Sequence, residues 1–97
     1  MNRITPPPDD KRTALAAILA AHPGNTSKVQ CARIRAALSQ YNLNTFEISR
    51  FLDCYCPRAR VARLRKDGDR IDTHWTTVYT ESGHPHRVGL YVLGASQ

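Results

Sequence analysis

Cys56-Pro57-Arg58-Ala59-Arg60-Val61-Ala62-Arg63-Leu64-Arg65-Lys66-Asp67-Gly68 reads as one short helix with its own start and stop. Pro57 suits the first helical turn, where a missing N–H costs nothing. Gly68 suits the left-handed position just past the last turn. Between them stand five cations and only two large apolar side chains. Val61 and Leu64 are three apart and Pro57 is four before Val61, so the three share one stripe. A stripe this narrow seats a helix on a small domain and leaves the remaining surface facing outward.

At about 100° per residue, the positions farthest from that stripe are Ala59, Ala62, Arg63 and Lys66, with Arg58, Arg60 and Arg65 on the flanks. Small residues let a helix approach closely, and alanine can touch a thymine methyl. Arginine can donate twice to guanine. Flanking arginines are placed for phosphates. The bland alternative is a solvated basic helix, and the neighbouring sequence decides between the two.

The charge supports the sharper reading. The chain has 97 residues, a net charge of +6 and 41% hydrophobic residues, enough for one modest core and too much for general disorder. From Thr26 to Lys66 there are nine Lys/Arg against Glu47 and Asp53, so that segment carries +7 and the rest of the chain nearly cancels. A basic patch on a small domain points to a polyanion, most often nucleic acid. No apolar run approaches a membrane span and no secretory signal pattern opens the chain, so a cytoplasmic location and no membrane partner are expected. Three cysteines fit reduced thiols better than a disulfide framework.

Working outward, residues 1–24 form a Pro-rich arm and an extra helix. Pro6-Pro7-Pro8 favour an extended arm. Asp9 or Asp10 then caps a helix to about Ala21, with Leu15, Ile18 and Leu19 as its apolar stripe, ended by His22-Pro23-Gly24. This helix needs a partner surface, either its own domain or another copy. Its many small residues, and a core already furnished with three helices, favour the second copy. A domain of residues 25–94 follows. Asn25-Thr26-Ser27 caps a helix to about Tyr41, with Val29, Ala32, Ile34, Ala37, Leu38 and Tyr41 buried and Arg33 and Arg35 off that face. Asn42-Leu43-Asn44 reads as a turn. Asn44 and Glu47 have capping-box spacing for a short helix to about Leu52. The order helix, short helix, basic helix is that of a helix-turn-helix unit with the last helix as reader.

After Gly68 the period changes to two. Ile71, Trp75 and Tyr79 alternate along one strand and are expected on the core face. Gly83 and Pro85 mark a turn, and Arg87 to Leu93 is the second strand. A hairpin directly after a recognition helix is a wing. Residues 95–97 are a tail. Phe46, Phe51, Trp75 and the tyrosines are expected in the core or at its boundary, which disfavours a single-strand or RNA stacking platform.

From Ser27 to Leu93 the sequence resembles the small winged helix-turn-helix domains of phages and prophages. The matching residues are Ala59-Arg60-Val61, Leu64-Arg65-Lys66, Gly68, Ile71, Thr73, Arg87-Val88, Tyr91 and Leu93. The resemblance implies a mainly α fold with a C-terminal β-hairpin, and double-stranded DNA binding as a transcriptional regulator or excisionase-like factor. It does not cover the N-terminal arm and helix.

The expected roles follow. Arg58, Arg63 and Lys66 read bases, while Ala59 and Ala62 allow close approach. Arg60, Arg65, Lys28 and Arg50 pair with phosphates. Arg87, His84 and His86 touch the neighbouring backbone or minor groove. Specificity calls for a homodimer or several copies on DNA. The alternative is a protein-interaction module on the same scaffold, for example a phage-encoded inhibitor of a host factor. Cys54-x-Cys56 and His84-x-His86 lack the spacing of structural zinc sites, so no metal or other cofactor is expected. No catalytic constellation is recognisable, so no enzyme is expected.

Overall fold

A computed structural model describes residues 9–94; the proline arm and the C-terminal tail lie outside the described residues. The elements run α1 (Asp9–Ala21), α2 (Ser27–Leu38), β1 (Leu43–Asn44), α3 (Thr45–Phe51), α4 (Pro57–Lys66), β2 (Ile71–Tyr79) and β3 (Pro85–Leu93). The strands form one antiparallel sheet in the order β1-β3-β2. α2, α3 and α4 pack against it, and α1 packs on α2 and α3. Leu15, Ile34, Leu43, Ile48 and Leu52 are fully buried, and Val61 and Leu64 are 1% exposed. Every helix therefore contributes to one core.

Local signals set the boundaries of α3 and α4. Asn44 Oδ1 accepts from the Glu47 N–H at 2.8 Å, and Glu47 Oε1 accepts from the Asn44 N–H at 2.9 Å, completing the expected capping box. Pro57 opens α4. Gly68 closes it at φ +110°; its N–H reaches the Arg65 carbonyl and the Asp69 N–H reaches that of Leu64. That pair of bonds is the Schellman stop, and the positive φ is why glycine suits the position.

Four expectations need correction. Asn42-Leu43-Asn44 does more than turn: Leu43 and Asn44 form β1, paired with Tyr91 and Leu90. To deliver Leu43 to the sheet, α2 stops at Leu38 rather than near Tyr41. Arg33 is not off the buried face. It is 2% exposed, and its guanidinium donates to the carbonyls of His22 (2.9 Å), Leu52 (3.2 Å) and Gly24. The His22 and Leu52 carbonyls lie at the C-terminal ends of α1 and α3, the negative ends of those helices, where carbonyls lack intrahelical partners. A buried cation is satisfied there by peptide dipoles.

The third correction concerns α1. Leu15 and Ile18 belong to the same core cluster as the other helices. Lys11 Nζ also bonds the Asn42 carbonyl at 3.0 Å and Glu47 Oε2 at 3.1 Å, tying α1 to the start of α3. The apolar stripe of α1 thus docks on its own chain, not on a second copy. The fourth concerns the aromatics. Trp75 (62% exposed) and Tyr79 (65%) are not core residues, and neither are Phe46 and Tyr55. Ile71 and Tyr91 at the base of the hairpin are buried. The alternation is real, but the hairpin outruns the helices that could cover it.

Candidate nucleic-acid interface

The outward side of α4 is assembled as the wheel predicts. Pro57, Val61 and Leu64 are buried, whereas Arg58, Ala59, Ala62, Arg63, Arg65 and Lys66 are exposed. Ala59, Ala62, Arg63 and Lys66 recur at i, i+3, i+4 and i+7, so they form a single continuous row. Arg58 and Arg65 lie on one flank of this row and Arg60 on the other.

The flanking arginines are already engaged within the domain. Arg65 leans onto the hairpin: Nε donates to the Ile71 carbonyl at 2.9 Å and Nη2 to Thr73 Oγ1 at 2.8 Å. Arg60 is half-buried and reaches Ser27 Oγ at the start of α2, with its Nε buried and unpartnered. These two residues brace α4 between α2 and β2. Arg63 pairs with Asp67 one turn on, Nε to Oδ1 3.2 Å, but both side chains remain largely in solvent. Among the described residues, Lys28, Arg50, Arg58 and Lys66 are exposed cations with no protein partner. Lys28 stands in the first turn of α2, next to the serine that Arg60 contacts. Arg50 ends α3.

The wing splits its residues between two faces. In antiparallel pairing, directly opposed residues share a face. Ile71↔Leu93, Thr73↔Tyr91, Trp75↔Gly89, Thr77↔Arg87 and Tyr79↔Pro85 make the inner face, which starts in the core. His74↔Leu90 and Val78↔His86 lie on the outer face. Arg87 therefore points to the side on which α4 lies, and His86 to the opposite side. His84 sits in the turn, with Nδ1 3.0 Å from Ser82 Oγ.

The thiols stand behind this surface. Burial pushes the Cys31 and Cys54 thiols up, against the lowering influence of nearby arginines including Arg60. Cys31 Sγ lies 3.7 Å from the Arg60 carbonyl and Cys54 Sγ lies 3.4 Å from Gln30 Oε1. Cys56, just before α4, is exposed. The Arg35 guanidinium is held above its already high range by its bond to Asp69 at 2.7 Å. Among the described residues no group of three or more His, Cys, Asp or Glu could hold a metal ion.

A helix, a short strand, a second helix, a basic third helix and a two-stranded hairpin now stand in order, with the third helix braced against the hairpin. A family model described as a winged helix-turn-helix domain matches residues 29–96, well over half of the chain. The chain belongs to that family. No curated protein and no solved structure matched it. The winged helix-turn-helix fold is a DNA-binding fold, in which the second helix of the motif enters the major groove. In this chain that helix is α4 and the wing is β2–β3. Among the described residues no helix is long and apolar enough to cross a membrane.

The sequence missed two parts of the surface: the brace made by Arg60 and Arg65, and the exposed aromatics of the wing. The bracing could have been read from Arg65, which shares the Arg58 flank and lies close to the Pro57–Val61–Leu64 stripe. A cation that close to the seated side is well placed to reach a neighbouring carbonyl.

Proposed function

We propose that this winged helix-turn-helix protein binds double-stranded DNA sequence-specifically, as a phage- or prophage-type transcriptional regulator or excisionase-like factor. The observation that carries the reading is the outward row of α4, two alanines and two cations with no large apolar or acidic side chain among them. That row fits a major groove: Ala59 and Ala62 admit the helix backbone, and Arg63 and Lys66 reach base edges. Arg58, Lys28 and Arg50 pair with the phosphates on either side, and Arg87 with the backbone beside the wing. Arg60 and Arg65 support this surface by holding α4 in place, and their outer donors face the same phosphates. His84 at the wing tip is within the same reach, and His86 serves from the outer face.

The longest dimension of the protein is 35 Å, close to the roughly 34 Å between successive major grooves on one side of B-DNA. One copy therefore addresses one half-site, and copies side by side, as a dimer or a short array, supply a longer sequence. The test is selection from a random duplex library followed by salt titration. A recovered motif, bound at least a hundredfold over random duplex, is expected. Binding that is equal on every duplex, or absent, would turn attention to an acidic protein surface as the target of α4.

A further inference from the structure

β2 is an edge strand, because the sheet order is β1-β3-β2. Which of its main-chain groups are free follows from the phase of the hairpin. The Gly94 N–H donates to the Arg70 carbonyl at 2.8 Å, and the Thr80 N–H to the His84 carbonyl at 3.2 Å. These two pairs continue the hairpin register, one beyond each end of the ladder. Hydrogen-bonded and non-hydrogen-bonded pairs alternate in an antiparallel ladder, so the even-numbered residues of β2 bond β3 and the odd-numbered ones turn their N–H and C=O outward. Arg65 agrees with this phase, since its Nε donates to the outward carbonyl of Ile71. Past Ile71, the outward main-chain groups of Thr73, Trp75, Thr77 and Tyr79 have no partner among the described residues.

The two edges of the hairpin are finished differently. By the same alternation the outward residues of β3 are Pro85, Arg87 and Gly89. Pro85 has no N–H to offer, Arg87 brings charge, and the Gly89 carbonyl accepts from Thr45 Oγ1 at 3.4 Å. From Thr73 to Tyr79, β2 has no Lys, Arg, Asp, Glu, Pro or Gly. Threonine, tryptophan, valine and tyrosine favour strands. An open edge of strand formers is a template for a further strand, and a neutral edge on a basic chain suits a neutral one.

We propose that two copies of this chain pair here, β2 beside β2 and antiparallel, in a register centred on Thr76. The free groups run from Thr73 to Tyr79, and a two-fold through Thr76 uses all of them. Thr73 then bonds Tyr79 of the second copy, Trp75 bonds its Thr77, and Thr76 faces its own counterpart. A register centred on Trp75 would need the Ile71 carbonyl, which Arg65 occupies. Charge fits the same register. Two residues further on, the turn residue Glu81 of one copy comes beside Ile71 of the other, where Arg65 sits. Glu81 is exposed and joins none of the ion pairs among the described residues. The exposed indoles become diagonal neighbours across the two-fold.

The assembly closes, because it uses the β2 edges and leaves the Pro85 edges outside. The two-fold is perpendicular to the sheet, so both α4 helices lie on the same side. Ile71, where α4 is braced, falls opposite position 81 of the second copy, ten residues from its counterpart. At ~3.4 Å per residue that is about 34 Å, near one turn of B-DNA. This spacing rests on the DNA-binding reading of α4; the pairing does not. A single short ladder is a small contact, so the dimer is weak alone and gains on paired half-sites.

The experiment uses the full-length protein, first without DNA, in a Cys56→Ser background that removes the exposed thiol. Thr76→Cys and Val78→Cys are each oxidised mildly, beside sedimentation of the parent. Thr76 forms a non-hydrogen-bonded pair with itself, which brings the Cα atoms to about 4.5 Å, within reach of a disulfide. Expected are a reversible dimer in the micromolar range and cross-linking at least tenfold faster through position 76 than through 78. Thr77→Pro removes an outward N–H and no bond to β3, so it should keep the circular dichroism of the parent and lose the dimer. If that variant unfolds, the cross-linking decides alone. A parent that stays monomeric to about 1 mM, or equal cross-linking at 76 and 78, overturns the pairing whether or not DNA binds. A dimer that cross-links through position 76 yet binds no duplex overturns the α4 reading and leaves the pairing standing.

Discussion

Arg63 is the residue on which base reading is staked, and it is not idle before DNA arrives. Its pairing with Asp67 must be given up when the guanidinium turns to a base. The pair is exposed, so the loss is small, in the range of about 0–1 kcal/mol. On the proposed reading Asp67 would also place a negative charge beside the phosphates. Asp67→Asn is therefore expected to tighten duplex binding by a fewfold while leaving thermal stability nearly unchanged, as equilibrium titration and melting would show. Weaker binding would mean that the carboxylate orients Arg63 rather than restraining it. Arg33 presents the opposite case, a cation with no role at the surface. Arg33→Met removes the donor from three carbonyls at once and should cost on the order of 3–5 kcal/mol in urea unfolding. A loss below about 1 kcal/mol would mean that water takes over those carbonyls readily. The thiols give a third test. Cys56 should react quickly with a maleimide in the native protein, and Cys31 and Cys54 only through opening of the core. Because burial raises the folded pKa of both buried thiols, the native state holds their protons longer than the unfolded chain does. Their contribution is intact below the ordinary thiol range and is lost as pH rises through the raised values. Stability should fall as pH rises above the ordinary thiol range, and less steeply in Cys54→Ala. An equally steep fall in that variant would assign the effect to other groups.

What the sequence disclosed about the elements depended on how local the cause was. α4 was legible to the residue because Pro57 and Gly68 act within one turn of themselves. The start of α3 was legible because Asn44 and Glu47 satisfy each other's N–H groups. β1 was not legible: two residues cannot display an alternation, and they become a strand only when β3 arrives from nearly fifty positions later. Trp75 shows a subtler limit. Period two assigns a residue to a face of a strand, not to a depth along it. Ile71 and Trp75 share a face, yet one is buried and the other looks into solvent because the helices end between them. Charge patterning marked the outward side of α4 but could not tell Arg65, which braces, from Arg58, which has no such contact. That distinction is itself testable. Arg65→Lys keeps the charge but cannot span both Ile71 and Thr73 as the planar guanidinium does. Loss of one to two such bonds, about 1–2 kcal/mol in unfolding, is expected, together with faster amide exchange in β2. If exchange in β2 is unchanged, the hairpin holds its place without α4.

At the scale of the molecule, the question is what α1 adds to a motif that is already complete without it. The family match begins at residue 29, so α1 lies before it. Yet its contacts are those of a core helix. Leu15 is fully buried, Lys11 is tied to α3 through Glu47 and the Asn42 carbonyl, and Arg33 requires the His22 and Gly24 carbonyls from the segment just after α1. The Arg12 guanidinium also lies 5.8 Å from the Phe51 ring centroid, above the last turn of α3. Removing residues 1–24 would therefore uncover the sides of α2 and α3 on which α1 packs, strip Arg33 of two acceptors and leave the charge of a buried arginine poorly satisfied. A helix of this length is marginal alone, so its stability and that of the remaining domain are mutual. The truncated chain is expected to lose several kcal/mol, melting at much lower temperature or not folding at all by circular dichroism. Leu15→Ala in the full chain is the milder variant, expected to cost about 2–5 kcal/mol while keeping the fold. If residues 25–97 melt as the full chain does, the core closes without α1, and its alanine-rich outer side becomes the place to look for contact between copies. If Leu15→Ala destabilises as expected and leaves binding to a single half-site intact, α1 acts as a scaffold that stiffens α3, and through α3 the angle at which α4 is presented.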